Sequence, residues 1–248
     1  EQGEKISVKI NRKYGPVQMT NDSLRKIGKD MQTMSFRLGQ EFAAKKMQDM
    51  LNTGILAVEA SLEGQSTNVY DATGETTKTI TTAYLVSGLA KMGDAGERVV
   101  AWVMHSKNYY DLVKEQIAAN ITNVADRVVY GGSPATLNRP VIISDIPALH
   151  DANGSAADTY NVLGLVENGL VITESEEQEI VMLPKTGQEN LVHELQGEFA
   201  YNIECKGFQW DVTHGGANPT DAALGTTTNW DKIVTSTKDL AGVRIVVQ

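Results

Sequence analysis

The apolar residues between positions 23 and 52 recur at the spacing of a helix. The steps between them are three to five residues, close to the helical period of about 3.6, which gives one apolar stripe. The stripe consists of Leu24, Ile27, Met31, Met34, Leu38, Phe42, Met47 and Leu51. Asn21, Asp22 and Ser23 can cap the first free amides. At about 1.5 Å per residue, these roughly 30 residues predict a rod of about 45 Å, far longer than an average helix.

The other face of this helix carries Lys29, Arg37, Lys45 and Lys46. We therefore expect the helix to pack on one side and to present a basic face, although an ordinary solvated face is the simpler alternative. Gly54 interrupts the pattern, and apolar spacing resumes over 55–62. The sequence predicts a kink or short break at Gly54, followed by a second helical piece.

Residues 1–20 alternate between apolar and polar. Ile6, Val8 and Ile10 share one face of a predicted exposed strand, and a turn is predicted at 14–16. One such ribbon cannot bury its apolar face alone. We expect it to belong to a longer arm or to lie against another subunit.

The rest of the chain alternates short strands with few helices, which is typical of an α+β fold. The predicted helices are 82–92 and 107–118. The predicted strands are 99–104 and 141–143, each buried on both faces; 160–166 and 170–173, joined as a hairpin by Asn168-Gly169; and the closing pair 233–234 and 242–247. Residues 174–179 are predicted to form an acidic loop. Residues 191–212 form a predicted ribbon with Leu195, Phe199, Tyr201, Ile203 and Cys205 on one side.

Composition and charge narrow the class of protein. The 248 residues are 41% hydrophobic and 21% charged, values typical of a globular protein. No apolar run approaches the roughly 20 residues of a membrane span and no signal-peptide pattern opens the chain, so we predict no membrane partner. The net charge of −9 divides into +4 over residues 1–50 and −13 over the remainder. This asymmetry disfavours a dedicated nucleic-acid reader and suits a protein whose basic front meets the acidic body of a neighbouring copy.

Candidate chemistry is sparse. The four histidines do not stand at metal-ligand spacing, and the single cysteine, Cys205, excludes an internal disulfide. His105 and Ser106 are the best nucleophile–base pair, but neighbouring residues on a strand point to opposite faces. The glycines form no phosphate loop, and 174–179 lacks the spacing of a calcium loop. We predict no catalytic residue, no metal ligand and no cofactor.

Two segments resemble the major capsid proteins of tailed bacteriophages. Residues 98–112, RVVAWVMHSKNYYDL, follow LAKMGD and resemble a strand–MHS–helix segment of those proteins. Residues 137–145, LNRPVIISD, resemble their LGRPVIVSD strand, with Asn138 in place of the usual Gly. The order of elements is similar across essentially the whole chain.

The resemblance implies an HK97-like capsid fold with a long spine helix, a P-domain sheet, an A-domain and an extended E-loop ribbon. Residues 1–20 would be the returning strand of the E-loop, with the N-terminal arm absent. Residues 21–65 and 170–212 would form the P-domain, and 66–169 with 213–248 the A-domain.

The function implied is a structural one, without enzymatic activity. Copies of the chain would assemble as hexamers and pentamers into an icosahedral head, in the host cytoplasm, around double-stranded DNA that they contact without specificity. Portal, scaffolding and decoration proteins are the other implied partners. The candidate contacts between subunits are Lys5, Lys9, Arg12, Lys13, Arg25, Lys29, Glu176, Glu177 and Glu179.

Three alternatives remain open from the sequence. An encapsulin or gene-transfer-agent shell protein would share the same fold. A hydrolase would use His105, Ser106 or Cys205. A nucleic-acid-binding protein would act through its first 50 residues, with an affinity that falls as salt rises.

Overall fold

The computed structural model describes residues 6–27, 31–121, 136–152, 157–187 and 189–248. The helices in these ranges are α1 (Asn21–Ile27), α2 (Met31–Glu63), α3 (Thr82–Ala90), α4 (Ser106–Ile121), α5 (Val212–Gly215) and α6 (Asp221–Leu224). The strands are β1 (Val8–Thr20), β2 (Val69–Asp71), β3 (Val99–Met104), β4 (Val141–Ile143), β5 (His150–Asp151), β6 (Thr159–Val166), β7 (Leu170–Lys185), β8 (Val192–Cys205), β9 (Phe208–Trp210), β10 (Trp230–Lys232) and β11 (Gly242–Val247).

Most of the strands belong to two sheets. The first sheet is antiparallel, in the order β1-β8-β7. The second sheet follows the order β2-β11-β6-β3-β4, with β5 added beside β6. Its β11–β2 and β3–β4 pairs are parallel and its other pairs are antiparallel. β9 and β10 form a separate pair.

One helix, α2, serves both sheets. Its first half packs on β7 and β8, and its last turns pack among residues that reach β11. One core cluster combines Ile55, Val58 and Leu62 of α2 with both sheets, while a second cluster lies on the opposite face of the second sheet around Trp102 and Leu85. The second sheet is therefore buried on both sides, whereas the first sheet is covered mainly on the side of α2.

The predicted break at Gly54 is wrong, because α2 continues through it from Met31 to Glu63. Gly54 is buried, and a Cβ at this position would lie 2.8 Å from Ile172 Cδ1 and 3.0 Å from Leu170 Cδ2. The glycine serves close packing of the helix on β7, and it does so without ending the helix.

The predicted apolar stripe of α2 is right at its centre and wrong toward residue 51. Phe42 is buried, but Met47 is 73% exposed and Leu51 is 39% exposed. Lys46 and Thr53 occupy the buried face instead, at 7% and 3% exposure. Lys46 is tolerated there because its Nζ lies 2.6 Å from Glu174 Oε1 and over the Phe199 ring.

The first ribbon lies against its own chain and forms the edge of the first sheet. β1 pairs with β8 from Val8 to Thr20, and Val8 and Ile10 are fully buried. The predicted turn is an irregularity between Tyr14 and Val17, at which Gly15 has a φ of 79° and after which the pairing resumes.

The predicted hairpin at Asn168-Gly169 is also wrong. A tight turn is present, with Asn168 at a φ of 56°, but β6 enters the second sheet and β7 enters the first. The predicted acidic loop at 174–179 is part of β7, where two irregularities interrupt its pairing with β8. A turn sequence fixes the local bend, whereas the choice of strand partner depends on distant segments.

Other strand predictions are confirmed in position. β3 matches 99–104, β11 matches 242–247, and α3 and α4 lie where helices were predicted. The predicted apolar side of β8 is buried from Leu195 to Cys205. β4 is present, but it is an edge strand with Ile142 and Ile143 exposed, so its predicted burial on both faces is wrong. β10 at Trp230–Lys232 replaces the strand predicted at 233–234.

A buried ionic cluster joins the end of α2 to the second sheet. Arg244 of β11 places its guanidinium 2.8 Å from Glu59 Oε1 and 3.4 Å from Glu63 Oε1. Asn161 of β6 donates to Glu59 Oε1 at 3.2 Å. Burial, reinforced by the charges of Glu63 and Asp151, raises the pKa of Glu59 to about 7, although Arg244 opposes the shift.

The two glycines of α2 should respond oppositely to alanine. At Gly39 a Cβ would meet nothing within 4 Å, so Gly39→Ala should raise the free energy of unfolding by about 1 kcal/mol through helix propensity. At Gly54 the same gain is offset by overpacking against Ile172, which costs about 1–3 kcal/mol. Urea unfolding of the free subunit measures both. Equal stabilisation by the two variants would contradict the close approach of β7.

The Glu59 cluster should make stability depend on pH. Because the pKa of Glu59 is raised to about 7 from an ordinary 4.5, its contribution is largest below pH 4.5 and is lost as pH rises through 7. Relative to that of the wild type, the free energy of unfolding of Glu59→Gln should therefore rise by about 2–3 kcal/mol between pH 5 and pH 8. Urea unfolding across that range measures the difference. Glu41→Gln, at an exposed position on the same helix and outside the cluster, is the control; a gap for Glu59→Gln that does not change with pH would contradict the assignment.

Candidate functional site

The predicted nucleophile–base pair forms the start of α4. β3 ends at Met104, and the backbone N–H of Ser106 donates to Asp145 Oδ1 at 2.9 Å. His105 Nε2 lies 3.5 Å from the same oxygen, and its Nδ1 accepts from the backbone N–H of Lys107 at 3.2 Å. Hydrogen bonds from Ser106 hold the pKa of Asp145 below its usual range. The carboxylate of Asp145 therefore stabilises the start of α4, and it also accepts a hydrogen bond from the hydroxyl of Ser106.

The remaining candidates for chemistry are structural where they are described. Cys205 is buried in the core at the end of β8. Among the described residues, no group of three or more His, Cys, Asp or Glu side chains is placed to hold a metal ion. The helices in the described ranges include none that is long and apolar enough to cross a membrane.

The nine predicted contact residues fall into four groups. Lys5 and Lys29 lie outside the described residues, and for Arg25 and Glu177 only the backbone, in α1 and β7, is described. Lys13 and Glu179 are exposed on the first sheet. The other three, Lys9, Arg12 and Glu176, form ion pairs within the chain.

Arg12 is the centre of a polar cluster between β1, α2 and α6. Its Nε donates to Asp49 Oδ2 at 3.1 Å, and its Nη2 donates to Thr53 Oγ1 at 3.2 Å and to Asp221. Tyr201 donates its hydroxyl to the same Asp49 oxygen at 2.9 Å. Burial opposes the charge of Arg12, but its bonds to Asp221 and Tyr201 prevail and raise its pKa above the ordinary value. The cluster fixes the ribbon β1 against the long helix.

Two of the four glutamates in the acidic half of β7 pair with lysines of the same chain. Glu176 pairs with Lys9 of β1, across the first sheet. Glu174 pairs with Lys46 of α2. The basic front and the acidic body therefore meet within one subunit at these two points. Glu179 is different, since it stands opposite the like-charged Glu198 in the β7–β8 pair, where two carboxylates repel each other.

An exposed apolar surface, which the sequence patterns missed, covers the far half of the first sheet and the outer side of α2. Phe36 is 67% exposed and Leu183 is 62% exposed. The other exposed apolar residues of this surface are Met47, Leu51, Val17, Ile180, Val181 and Leu191. Successive residues of a strand point to opposite faces, so Val181 and Leu183 lie across the sheet from Ile180 and α2. The exposed apolar side chains on each face are candidate contacts with other molecules. Phe36 could have been found from the sequence as an apolar position outside the predicted stripe, whereas Met47 and Leu51 had been assigned to the stripe itself.

A recess of about 190 Å³ opens between α2 and the outer strand β7 within this surface. Leu38 and Phe42 of the helix and Ile180, Met182 and Leu195 of the sheet line it. Ser35 and Gly39 complete the wall on the helix side, and a Cβ at Gly39 would meet nothing within 4 Å. A glycine inside a helix costs about 1 kcal/mol relative to alanine, and packing among the described residues does not require this one.

Comparison with known proteins shows which family and which solved structures this chain is similar to. The sequence matches the family model of the major capsid protein 13-like (Gp13-like) proteins over residues 1–244. The solved structures similar to it include the capsid of Ralstonia phage GP4, at a TM-score of 0.56 and 11% identity over 98% of this chain and 73% of that chain. The cyanophage Pam1 capsid has a TM-score of 0.55 and 8% identity over 98% of this chain and 75% of that chain. The capsid of Helicobacter pylori bacteriophage KHP30 has a TM-score of 0.52 and 8% identity over the same shares, 98% and 75%.

At these identities the structural likeness shows the fold alone, and that fold is the HK97-like fold of phage capsids. The fold class expected from the resemblance is confirmed. No curated protein matches the chain.

The Arg12 cluster should discriminate between arginine and lysine. Arg12→Lys keeps the charge but cannot reach Asp49, Thr53 and Asp221 together, because an ammonium lacks the planar fork of a guanidinium. We expect a loss of about 1–3 kcal/mol in the free energy of unfolding. Lys13→Arg, the reverse exchange at the exposed neighbouring residue, should change it by less than about 0.5 kcal/mol. Urea unfolding of both variants checks this; equal losses would show that the cluster does not hold β1.

Proposed function

This chain belongs to the major capsid protein 13-like family, and from that premise we propose that it builds the icosahedral head of a tailed bacteriophage, as hexamers and pentamers around double-stranded DNA. Its role as a major capsid protein that assembles into a multimeric virion shell follows from the family. The numbers of subunits per ring and the enclosed genome are the proposed part. The observation that carries the proposal is the match to a capsid family over 1–244 of 248 residues.

The two sheets support a division of the subunit into two domains. In the proposal, residues 21–65 and 170–212 are the P-domain, which contains α2, β7 and β8. Residues 66–169 and 213–248 are the A-domain, which contains the second sheet. Residues 1–20 are the returning strand of the E-loop, of which Val8–Thr20 form β1 at the edge of the first sheet.

In this proposal, the contact residues have different roles according to their exposure and their ion pairs. Lys13 and Glu179 are exposed and available to a neighbouring subunit. Lys9, Arg12 and Glu176 act on contacts indirectly in this proposal, because they hold β1 and β7 in the positions that a neighbour meets. Lys5, Arg25, Lys29 and Glu177 remain proposed contacts.

The proposed partners beyond the shell follow from packaging a genome. A portal would admit the DNA, a scaffolding protein would guide assembly in the host cytoplasm, and decoration proteins would bind the outside. Contact with DNA would be non-specific, and a net charge of −9 would also keep it weak, because counterion release dominates non-specific binding. We propose no catalytic step for this protein.

The test is the size and shape of the particle formed by the protein from its native source. Sedimentation and negative-stain microscopy should find polyhedral particles of megadalton mass that contain DNA protected from nuclease. A His105→Ala variant should form the same particles, because His105 is assigned no chemistry. A species near the 26.9 kDa chain mass would refute the proposal. Empty cages that never contain DNA would support an encapsulin-like shell instead.

A further inference from the structure

Three methionines and one histidine line a small cavity between α2 and the first sheet. Met19 of β1, Met34 of α2 and Met182 of β7 contribute thioethers, and His193 of β8 contributes an imidazole. The rest of the lining is aliphatic and consists of Val17, Leu38 and Leu195. The cavity has a volume of about 10 Å³, which is the space of one water-sized sphere. The four side chains therefore surround room for a single atom or ion.

The register of the strands brings these side chains together. Met19 stands directly opposite His193 in the β1–β8 pair, where Cβ atoms lie about 4.5–5.5 Å apart. Met182 stands opposite Leu195, which makes it the diagonal neighbour of His193, at about 7–8 Å. Methionine is long and has three rotatable bonds, so its sulfur can cross these distances. Met34 closes the site from the helix side.

His193 is the member of this group that ordinary packing does not explain. It is partly buried, and among the described residues it has no hydrogen-bond or ion-pair partner. The other three histidines each lie beside an aspartate, in the pairs His105–Asp145, His150–Asp158 and His214–Asp211. Methionines often fill gaps in a core, but a polar ring that is placed among them needs a partner.

Thioether and imidazole groups are ligands of soft metal ions. Thioether sulfur selects Cu(I), and imidazole nitrogen also binds copper. Magnesium and calcium require oxygen ligands, and no carboxylate of the described residues lines this cavity. The site is thus different in kind from the clusters of His, Cys, Asp and Glu that the described residues do not form. Its ligand set fits Cu(I), or Ag(I) as an analogue that does not change its oxidation state.

We propose that Met19, Met34, Met182 and His193 bind one Cu(I) ion through three sulfur atoms and one nitrogen atom. The site lies within a single subunit, so the inference does not depend on the proposed function. No short sequence motif marks such a site, because its ligands come from four separate elements.

The ion would join these four elements at a place where the apolar core is thin. Val192 and Leu195 of β8 are buried here, but they belong to neither of the two core clusters. An ion that binds only the folded chain stabilises it. Bound Cu(I) therefore holds the N-terminal half of α2 against all three strands of the first sheet.

Replacing one thioether should weaken the binding of Cu(I) without disturbing the fold. Met34→Leu removes a sulfur atom and nearly conserves volume. Competition of the full-length subunit with the Cu(I) chelator bicinchoninate, without oxygen, should find one Cu(I) per wild-type chain and an affinity lower by roughly tenfold or more in the variant. Met50→Leu is the matched control: Met50 lies on the same helix but packs on the first core cluster, away from the cavity, and its variant should bind as the wild type does.

Several outcomes would overturn the inference. Equal affinities of the wild type and Met34→Leu would do so, and so would an equal loss in Met50→Leu. X-ray absorption by the bound copper should show sulfur neighbours; nitrogen and oxygen neighbours alone would assign the copper to exposed histidines such as His214 and refute the site. If Met34→Leu does not fold, Met19→Leu makes the same test from the sheet.

Methionine methyl NMR with Ag(I) provides a second, independent test. The chain has eight methionines, and labelling their methyl carbons reports on each of them. An equimolar amount of Ag(I), added to the free subunit, should shift the signals of Met19, Met34 and Met182 and leave those of Met47 and Met50 unchanged. A shift confined to the exposed Met47, or equal shifts of all the signals, would contradict the proposed site.

Discussion

The packing of one long helix on two different sheets is the constraint on which the rest of the structure depends. At about 1.5 Å per residue, the 33 residues of α2 span roughly 50 Å, more than one small core can cover. The C-terminal half is enclosed by both sheets and is apolar on nearly every side from Ile55 to Leu62. In the part of the chain that the structure describes, the N-terminal half packs on the first sheet, and Phe36 and Met47 on its other face remain exposed. The polar residues between the halves, Lys46, Asp49 and Thr53, each need a partner from another element, and β1, β7 and β8 provide them.

Periodicity located most of the elements because each depends on a few neighbouring residues. The positions of α3, α4, β3, β8 and β11 follow from short patterns of apolar side chains. The pairing partner of each strand depends on contacts between segments far apart in the sequence, and the apolar patterns did not predict it. Asn168-Gly169 gives the expected bend, yet the strands on either side join different sheets. Gly54 resembles a helix break in the sequence, and only the position of Ile172 shows that the glycine admits another strand.

The charged residues illustrate a related limit. Counting charges along the chain correctly separates a basic front from an acidic body, but a count cannot tell contacts within a copy from contacts between copies. Lys9 and Lys46 meet Glu176 and Glu174 of the same subunit. The apolar residues left bare, such as Phe36 and Leu183, are the better guide to where another molecule binds. A search for charged or reactive residues does not find them, because their side chains are apolar and unreactive. Their significance comes from the number of them that are left exposed.

The pairing of β1 with β8 has a consequence for the order of events during synthesis. Val8 pairs with Ile203, and at about 5–20 residues per second a ribosome takes roughly 10–40 s to make the chain between them. β2 likewise cannot pair until β11 has been synthesised. Neither sheet can close until the last third of the chain has emerged, so a nascent chain cannot offer a finished sheet to its neighbours. The topology thus delays any contact between finished sheets until translation is nearly complete.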